Sequence, residues 1–382
     1  MKILWLTENY PPNVGGMANS CDRIVYNLRK NSVSIHVVHL TQRVGETKTT
    51  TVQNGKDILF PAHADIAHTL NCMWIFLENL HKEECYTHIV AFGGYFPMFS
   101  APIFSAWLEI PLVTLIRGND FDSGIFTPRK QKILEDCLKK SAMVCCVSKD
   151  KIFKINKLYK KVAVCYIPNG INLSEWQSLT LDEKNAKNWR NTHISPLKKV
   201  IGIFGHLKDK KGVLFFLQEL QKSGLQDMFH LLIVGEIGAE VQDFLQENQK
   251  ESEKNQVDGL QYSHYPFMET FELLSHYLAC DIVAIPSFYD GLPNVLLEVG
   301  ALGVPLIAAN VAGMADVLTH NENALLFEPA NSSSCREMLI LLAQIDKNAL
   351  QNMGKNLQKH ISENLTHEQE MQRYKEMFEG VK

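Results

Sequence analysis

Long apolar runs are missing from this chain of 382 residues. No stretch approaches the roughly 20 residues that a membrane-spanning helix requires. The opening MKILWLT carries a lysine, but its apolar run is too short for a secretory leader and leads directly into polar TENYPPN. A first buried strand is expected there instead. Cysteine pairing signals are missing too. The nine cysteines are odd in number and show no C-x-x-C spacing, which excludes a disulfide framework and a zinc ribbon. Reduced, mostly buried thiols in a cytoplasmic protein are expected, with adjacent Cys145 and Cys146 pointing to opposite faces of a strand. No G-x-G-x-x-G fingerprint stands at a strand end, which argues against a nicotinamide enzyme. No Asp-x-Asp motif occurs in a strand-end loop, so no metal is expected, and no cofactor beyond a co-substrate. No internal repeat is visible. The lysines between 149 and 161 lack the interleaved aromatics of a single-strand nucleic-acid platform, so no nucleic-acid partner is expected.

The composition is that of a globular protein, 46% hydrophobic and 21% charged. The net charge of −4 conceals an asymmetry. Residues 1–168 hold 20 Lys and Arg against 14 Asp and Glu, and the remainder 18 against 28. A basic first half and an acidic second half fit two domains with different partners. Both halves alternate short apolar runs with amphipathic stretches. In the first half, strands are expected at Ile3–Leu6, Ser34–Leu40, His88–Phe92, Pro111–Ile116, Met143–Val147 and Val162–Ile167. The second half continues with Val200–Phe204, His230–Val234, Gly259–Tyr262, Ile282–Ile285, Pro305–Ala309 and Ala324–Phe327. Such alternation predicts parallel sheets covered by helices. Residues 169–199 break the rhythm and are expected to connect a domain over 1–168 to one over 200–365, with a short helix near Leu181–Arg190. Residues from 332 onward read as helical. The loop from Thr41 to Gly55 carries no sign that could be interpreted.

Ligands of open parallel sheets bind beyond the carboxyl ends of the strands, so the loops there hold the candidate residues. Gly15-Gly16 follows the first strand and opens a helix, letting backbone approach an anionic group. The alternative is an ordinary strand-to-helix turn. Gly205-His206-Leu207-Lys208-Asp209-Lys210-Lys211-Gly212 also ends a strand and opens a helix. Cations beside a helix N-terminus oppose the helix dipole unless an anion such as a diphosphate sits between them; a solvated charge run is the plainer reading, with Lys211 the specific part. Arg117-Gly118-Asn119-Asp120 is either an internal pair or a group that touches sugar or phosphate. In the apolar stretch Ile285–Asp316, Asp290 precedes a helix and Glu298 lies inside it. Such acids need an explanation among so few charges. The lysine face over Lys149–Lys161 is either solvated or a dock for an anionic membrane surface.

These segments, taken together, resemble a known family. PSFYDGLPNVLLEVGALGVP followed by AGMAD is similar to the nucleotide-sugar signature of family 4 retaining glycosyltransferases. PPNVGG, RGND, VCCVS, IPNGIN, GHLKDKKG, LLIVG and ALLFEP extend the likeness over nearly the whole chain. The resemblance implies an α/β protein of the GT-B fold. That fold has two Rossmann-like domains facing a central cleft, with a C-terminal helix of about residues 366–382 crossing back to the first domain. It implies a retaining, metal-independent, hexosyltransferase-type enzyme moving sugar from a nucleotide-sugar donor to a glycan, lipid-linked or small-molecule hydroxyl in cell-envelope or glycoconjugate biosynthesis. It assigns the ribose hydroxyls to Glu298, the transferred sugar to Asp290, and the donor diphosphate to Lys211. Backbone contacts to the donor fall to Gly291, Leu292, Pro293, Asn294 and Gly205, and Gly15 and Gly16 lie near phosphate and acceptor. His206 stands where the family usually has arginine, and Arg117 where it usually has histidine; Arg117 and Asn119 would contact acceptor or sugar, with Asp120 as a conceivable base. A cytoplasmic enzyme, peripheral to the inner membrane face through the Lys149–Lys161 helix, is the expectation. The competing readings are a GT-B nucleotide-sugar isomerase and a non-catalytic nucleotide-sugar binder.

Overall fold

The computed structural model describes residues 1–255 and 259–381, with the side chains of Asn119 and of residues 251–255 outside the description. The chain forms two compact units, Met1–Pro168 with His367–Lys382, and Asn169–Thr366. The first unit runs β1 (Lys2–Thr7), α1 (Gly16–Lys30), β2 (Ser34–Thr41), β3 (Lys48–Val52), β4 (Gly55–Pro61), α2 (Ile66–Glu84), β5 (His88–Phe92) and α3 (Tyr95–Leu108). It continues with β6 (Leu112–Ile116), α4 (Asn119–Asp122), α5 (Pro128–Lys140), β7 (Met143–Cys146), α6 (Lys149–Leu158) and β8 (Val164–Tyr166). Its sheet has the order β3-β4-β2-β1-β5-β6-β7-β8. Buried apolar strands such as β1 and β5 need cover on both faces. One face packs residues of α2, α3, α5 and α6 against the sheet. The other packs α1 and the chain's last helix, around Trp5 and Phe92. Cys145 and Cys146 enter these two opposite cores, as strand alternation requires.

The β3–β4 pair is the part of this sheet the sequence reading did not foresee. The two strands are antiparallel, with Val52 opposite Gly55 across a two-residue loop. Asn54 there has φ +53°, and Asn-Gly is a recognised hairpin signal. It was obscured because Thr-rich β3 is mostly exposed and carries no apolar alternation.

The second unit runs α7 (Thr180–His193), β9 (Lys199–Phe204), a 3-10 turn Asp209–Lys211, α8 (Val213–Lys222), β10 (Phe229–Val234), α9 (Ala239–Asn255), β11 (Gln261–Tyr265) and α10 (Thr270–Ala279). Then come β12 (Ile282–Ile285), α11 (Asn294–Ala301), β13 (Leu306–Ala309), α12 (Ala312–Ala315), β14 (Ala324–Phe327), α13 (Ser332–Gln344) and α14 (Lys347–Asn364). Its six strands are all parallel, in the order β11-β10-β9-β12-β13-β14. Residues 169–199, expected as a connection, are instead packed into this unit. In α7, the Trp189 indole donates to the Tyr265 hydroxyl at 2.9 Å, and Arg190 pairs with Asp281 at 2.8 Å. The final helix, α15 (His367–Gly380), belongs to the first unit and buries Met371, Tyr374, Met377 and Phe378 there.

Candidate functional site

In the second unit, the chain leaves β9 for β10 on one side and later returns to place β12 on the other. The carboxyl ends of β9 and β12 therefore flank a switch-point crevice, the place where open parallel sheets bind ligands. The two loops are tied together by main chain, the Phe288 N–H donating to the Lys210 carbonyl at 2.9 Å. Gly212 makes this approach possible. It has φ +63°, and a Cβ there would lie 2.2 Å from the Pro286 carbonyl oxygen. Gly235 meets the same constraint, since its Cβ would fall 1.9 Å from the Gly205 oxygen.

Across these loops, Lys211 is ion-paired with Asp290. Both are largely withdrawn from solvent, with side chains 25% and 16% exposed, so the pair sits in the crevice wall and not on an open surface. The second Asp290 oxygen accepts the Gly291 N–H at 2.9 Å. Beside Lys211 is a water-sized cavity of 20 Å³ that reaches Ser287 and Pro293. The Ser287 hydroxyl is fully buried and finds no hydrogen-bond partner among the described residues. A polar atom buried beside a cationic group is suited to a ligand oxygen or a bound water.

Pro293 caps α11, Asn294 is its exposed first residue, and Leu292 is buried with its carbonyl accepting the Asn169 amide at 2.9 Å. Gly313, expected as a turn, lies inside α12, where a Cβ would come within 2.5 Å of the Gly291 oxygen. One turn into α11, Glu298 accepts a hydrogen bond from the Tyr277 hydroxyl at 2.7 Å. Burial pushes the Glu298 carboxyl up to about 7, and the Tyr277 bond opposes that rise. Tyr277 is 1% exposed, its ring 4.3 Å from Phe204 and 6.0 Å from Trp176. A fixed hydroxyl thus holds the carboxylate. Nothing in the sequence singled out Tyr277, which lies on an apolar helix face like any core aromatic. His206 is exposed and lies 3.2 Å from Glu236. Lys210 sits over the Tyr289 ring at 5.8 Å, whereas water alone was expected around it.

In the first unit, Gly15 (φ +123°) and Gly16 open α1 without a side-chain cap or a first-turn acid, and both are exposed. The Asp120 carboxylate accepts the backbone N–H groups of Arg117, Gly118 and Phe121 at 2.8–3.2 Å. The Arg117 side chain donates to the Ser20 hydroxyl at 2.8 Å and the Tyr374 hydroxyl at 3.2 Å. It thereby links β6 to α1 and α15. The Asn119 side chain lies outside the described residues. Asp120 also lines a strand-end cavity of 220 Å³ with Asn9, Met17, Tyr95, Met98 and Lys130. Next to it, Glu8 accepts the Phe96 N–H at 3.3 Å. Burial raises its carboxyl above the ordinary range, opposed by that bond. The sequence signal for Glu8 was its place immediately after the first strand. Among the described residues, no group of three His, Cys, Asp or Glu side chains is placed to hold a metal ion.

Comparison with known proteins decides between an undirected sugar-nucleotide crevice and a transferase. The model of glycosyl transferases group 1 matches residues 185–360, and that of glycosyltransferase family 4 matches residues 14–175. The chain belongs to the group 1, family 4 glycosyltransferases. It is 23% identical over 351 residues to an uncharacterized glycosyltransferase of Methanocaldococcus jannaschii, covering 87% of each chain. It is 23% identical over 373 residues to TuaC of Bacillus subtilis, provisionally named a teichuronic acid biosynthesis glycosyltransferase, with 89% of this chain and 88% of that one covered. Among solved structures, Anabaena HepE in complex with UDP superposes with a TM-score of 0.79 at 16% identity over the full length of both. Sucrose-phosphate synthase from Thermosynechococcus elongatus gives 0.79 at 14% identity, over 99% and 98%. These likenesses show the GT-B fold for this glycosyltransferase.

Proposed function

We propose that this glycosyltransferase takes its sugar from a nucleoside diphosphate donor held at the β9–β12 crevice of the second unit and transfers it with retention of anomeric configuration. The observation that carries the reading is the Lys211–Asp290 pair at the strand ends, with Glu298 one turn into the α11 helix that follows. In this reading Lys211 and the α8 N-terminus meet the diphosphate, Asp290 a hydroxyl of the sugar, and Glu298 the ribose hydroxyls. Solved relatives titled as complexes with UDP and with UDP-glucose support a nucleotide-sugar donor.

As the bond between the anomeric carbon and the diphosphate breaks, negative charge grows on the leaving phosphate. A pre-placed cation stabilises it there. The acceptor oxygen bonds to the anomeric carbon on the same face, and its proton passes to the leaving phosphate, giving a nucleoside diphosphate and the glycoside. Within a retaining reaction, same-face attack is favoured over a covalent intermediate because neither crevice carboxylate stands ready as a nucleophile. Asp290 is engaged by Lys211 and the Gly291 amide, and Glu298 by Tyr277. The acceptor is a hydroxyl of a glycan or lipid-linked sugar. A relative provisionally named for teichuronic acid biosynthesis and one named as an N-acetylgalactosaminyltransferase of a diphospho-undecaprenol sugar support that class.

Incubation with a panel of nucleotide sugars tests the reading. Hydrolysis or transfer is expected, with the product anomer matching the donor by proton NMR coupling. Inversion would remove the same-face route, epimer formation would make the protein an isomerase, and binding without turnover would make it a binder.

A further inference from the structure

The α3 helix of the first unit carries no charged residue in 14, yet it has a solvent face. Phe99, Ile103 and Trp107 lie four residues apart along it, at 37%, 38% and 52% exposure. Side chains at this spacing form one stripe. The stripe widens onto α2. Trp107 meets Trp74 edge-on at 5.1 Å, and Ile75 is 66% exposed. A helix at a protein–water boundary normally turns polar residues outward, and contiguous exposed apolar patches mark a docking surface.

The neighbouring helix α5 defines the partner. It carries Arg129, Lys130, Lys132, Lys139 and Lys140 against only Glu135 and Asp136. Between the two helices runs a groove of 480 Å³, walled by Met98, Phe99, Ile103 and Ile133 and edged by Lys132, Lys139 and Lys140, with Glu135 and Asp136 ion-paired to the last two. Met98 and Ile133 are also walls of the strand-end cavity that Asp120 lines.

We propose that the α2–α3–α5 face docks on a bilayer with anionic headgroups, the Phe99–Ile103–Trp107 stripe entering the interface and the α5 cations meeting the lipid charge. An apolar face edged with cations and bearing tryptophan fits that boundary. A two-fold pairing of this face with a second copy would set the same cationic edges against each other. The Lys149–Lys161 segment, expected from the sequence to make the membrane contact, is a poorer candidate. Lys151 is 1% exposed and locked between Asp122 and Asp150, whereas the pairs of Lys139 with Glu135 and of Lys140 with Asp136 on α5 keep all four side chains at least 40% exposed. Docking does not depend on the transferase reading and is measured without a sugar donor.

The test is co-sedimentation of the full chain with vesicles of equal parts phosphatidylglycerol and phosphatidylcholine, and with phosphatidylcholine alone. The wild type pellets with the anionic vesicles and less with the neutral ones. The triple variant Phe99→Ser, Ile103→Ser, Trp107→Ser loses about tenfold in partitioning, and the single variant Ile103→Ser, which leaves the Trp74–Trp107 and Tyr95–Phe99 ring contacts in place, loses part of it, the fold of each being confirmed by its thermal melt. The α6 variant Lys157→Glu, Lys160→Glu, Lys161→Glu, with its last two changes in the turn after the helix, still binds. Absence of wild-type pelleting, equal pelleting of the α3 variant, or loss confined to the α6 variant would each overturn the proposal. So would a concentration-dependent dimer in size-exclusion chromatography that the α3 variant abolishes, since the face would then belong to a second copy.

Discussion

Lys211 and Glu298 oppose each other in what their burial costs. Lys211 is neutralised locally by Asp290, so the pair persists without ligand. Removing the cation leaves Asp290 uncompensated and strips the crevice of its charge for a leaving diphosphate. Lys211→Ala is expected to lower kcat by about 10²–10³-fold in a coupled assay for released nucleoside diphosphate; a wild-type rate would remove the role. Glu298 has no cation partner among the described residues, and burial lifts its carboxyl to about 7. The sign follows from that direction. Below the ordinary carboxylate range the group is protonated whether folded or unfolded and costs nothing. As pH rises towards 7 the folded state retains a proton that the unfolded state releases, and stability falls, levelling off above 7. Glu298→Gln should therefore be stabilising by up to about 3 kcal/mol at pH 8 and neutral near pH 4, while donor affinity drops. Thermal melts across pH, paired with donor titration calorimetry, check both. Tyr277→Phe removes the hydroxyl that opposes the carboxyl's rise, so the pH midpoint of donor affinity should move upward. An unmoved midpoint would leave Tyr277 as packing only.

At the level of elements, the second unit depends on close approaches that only glycine allows. Gly300 on α11 faces Ile361 and Leu357 of α14, and Gly354 on α14 sits where a Cβ would lie 2.0 Å from the Gly303 oxygen. This contact sets α11, and with it Glu298, at its height over the sheet. Gly354→Ala is expected to cost about 1–3 kcal/mol by overpacking in urea denaturation, and to raise donor KM more than it lowers kcat, because the shifted α11 carries the proposed ribose contact and not the reacting atoms. The strand-end loops were readable beforehand. Gly205, Lys211, Asp290 and Glu298 each lie after a strand, and alternation alone marks strand ends. Tyr277 and Ser287 were not, because a buried aromatic and a buried serine look like core until the fold shows which carboxylate or cation they face. Arg117 was readable only as an internal pair or a sugar or phosphate contact; that its guanidinium donates to Ser20 and Tyr374 is a product of the fold.

For the molecule as a whole, the chain's last helix stabilises the unit in which the chain began. Helix α15 buries four large side chains against the first sheet, and its Glu370 is ion-paired with Arg23 of α1. A chain ending before His367 should lose several kcal/mol from the first unit. Hydrogen exchange should rise in β1, β2 and α1, while β9 to β14 stay protected; uniform protection in both units would show α15 to be dispensable.

Local chemistry was enough to determine the alternation of buried parallel strands and helices, the glycine turns at their ends, and the place of the acids and lysine in the strand-end loops and the helix after them. Those features depend on residues near one another in the chain, where periodicity and turn preference act. Only tertiary structure decided that Lys211 finds Asp290 across 79 positions, that Tyr277 holds Glu298, that α15 completes the first core, and that α3 keeps an uncharged stripe on its surface. A sequence pattern identifies a helix's apolar residues, but which of them the neighbouring helices leave uncovered is settled by packing.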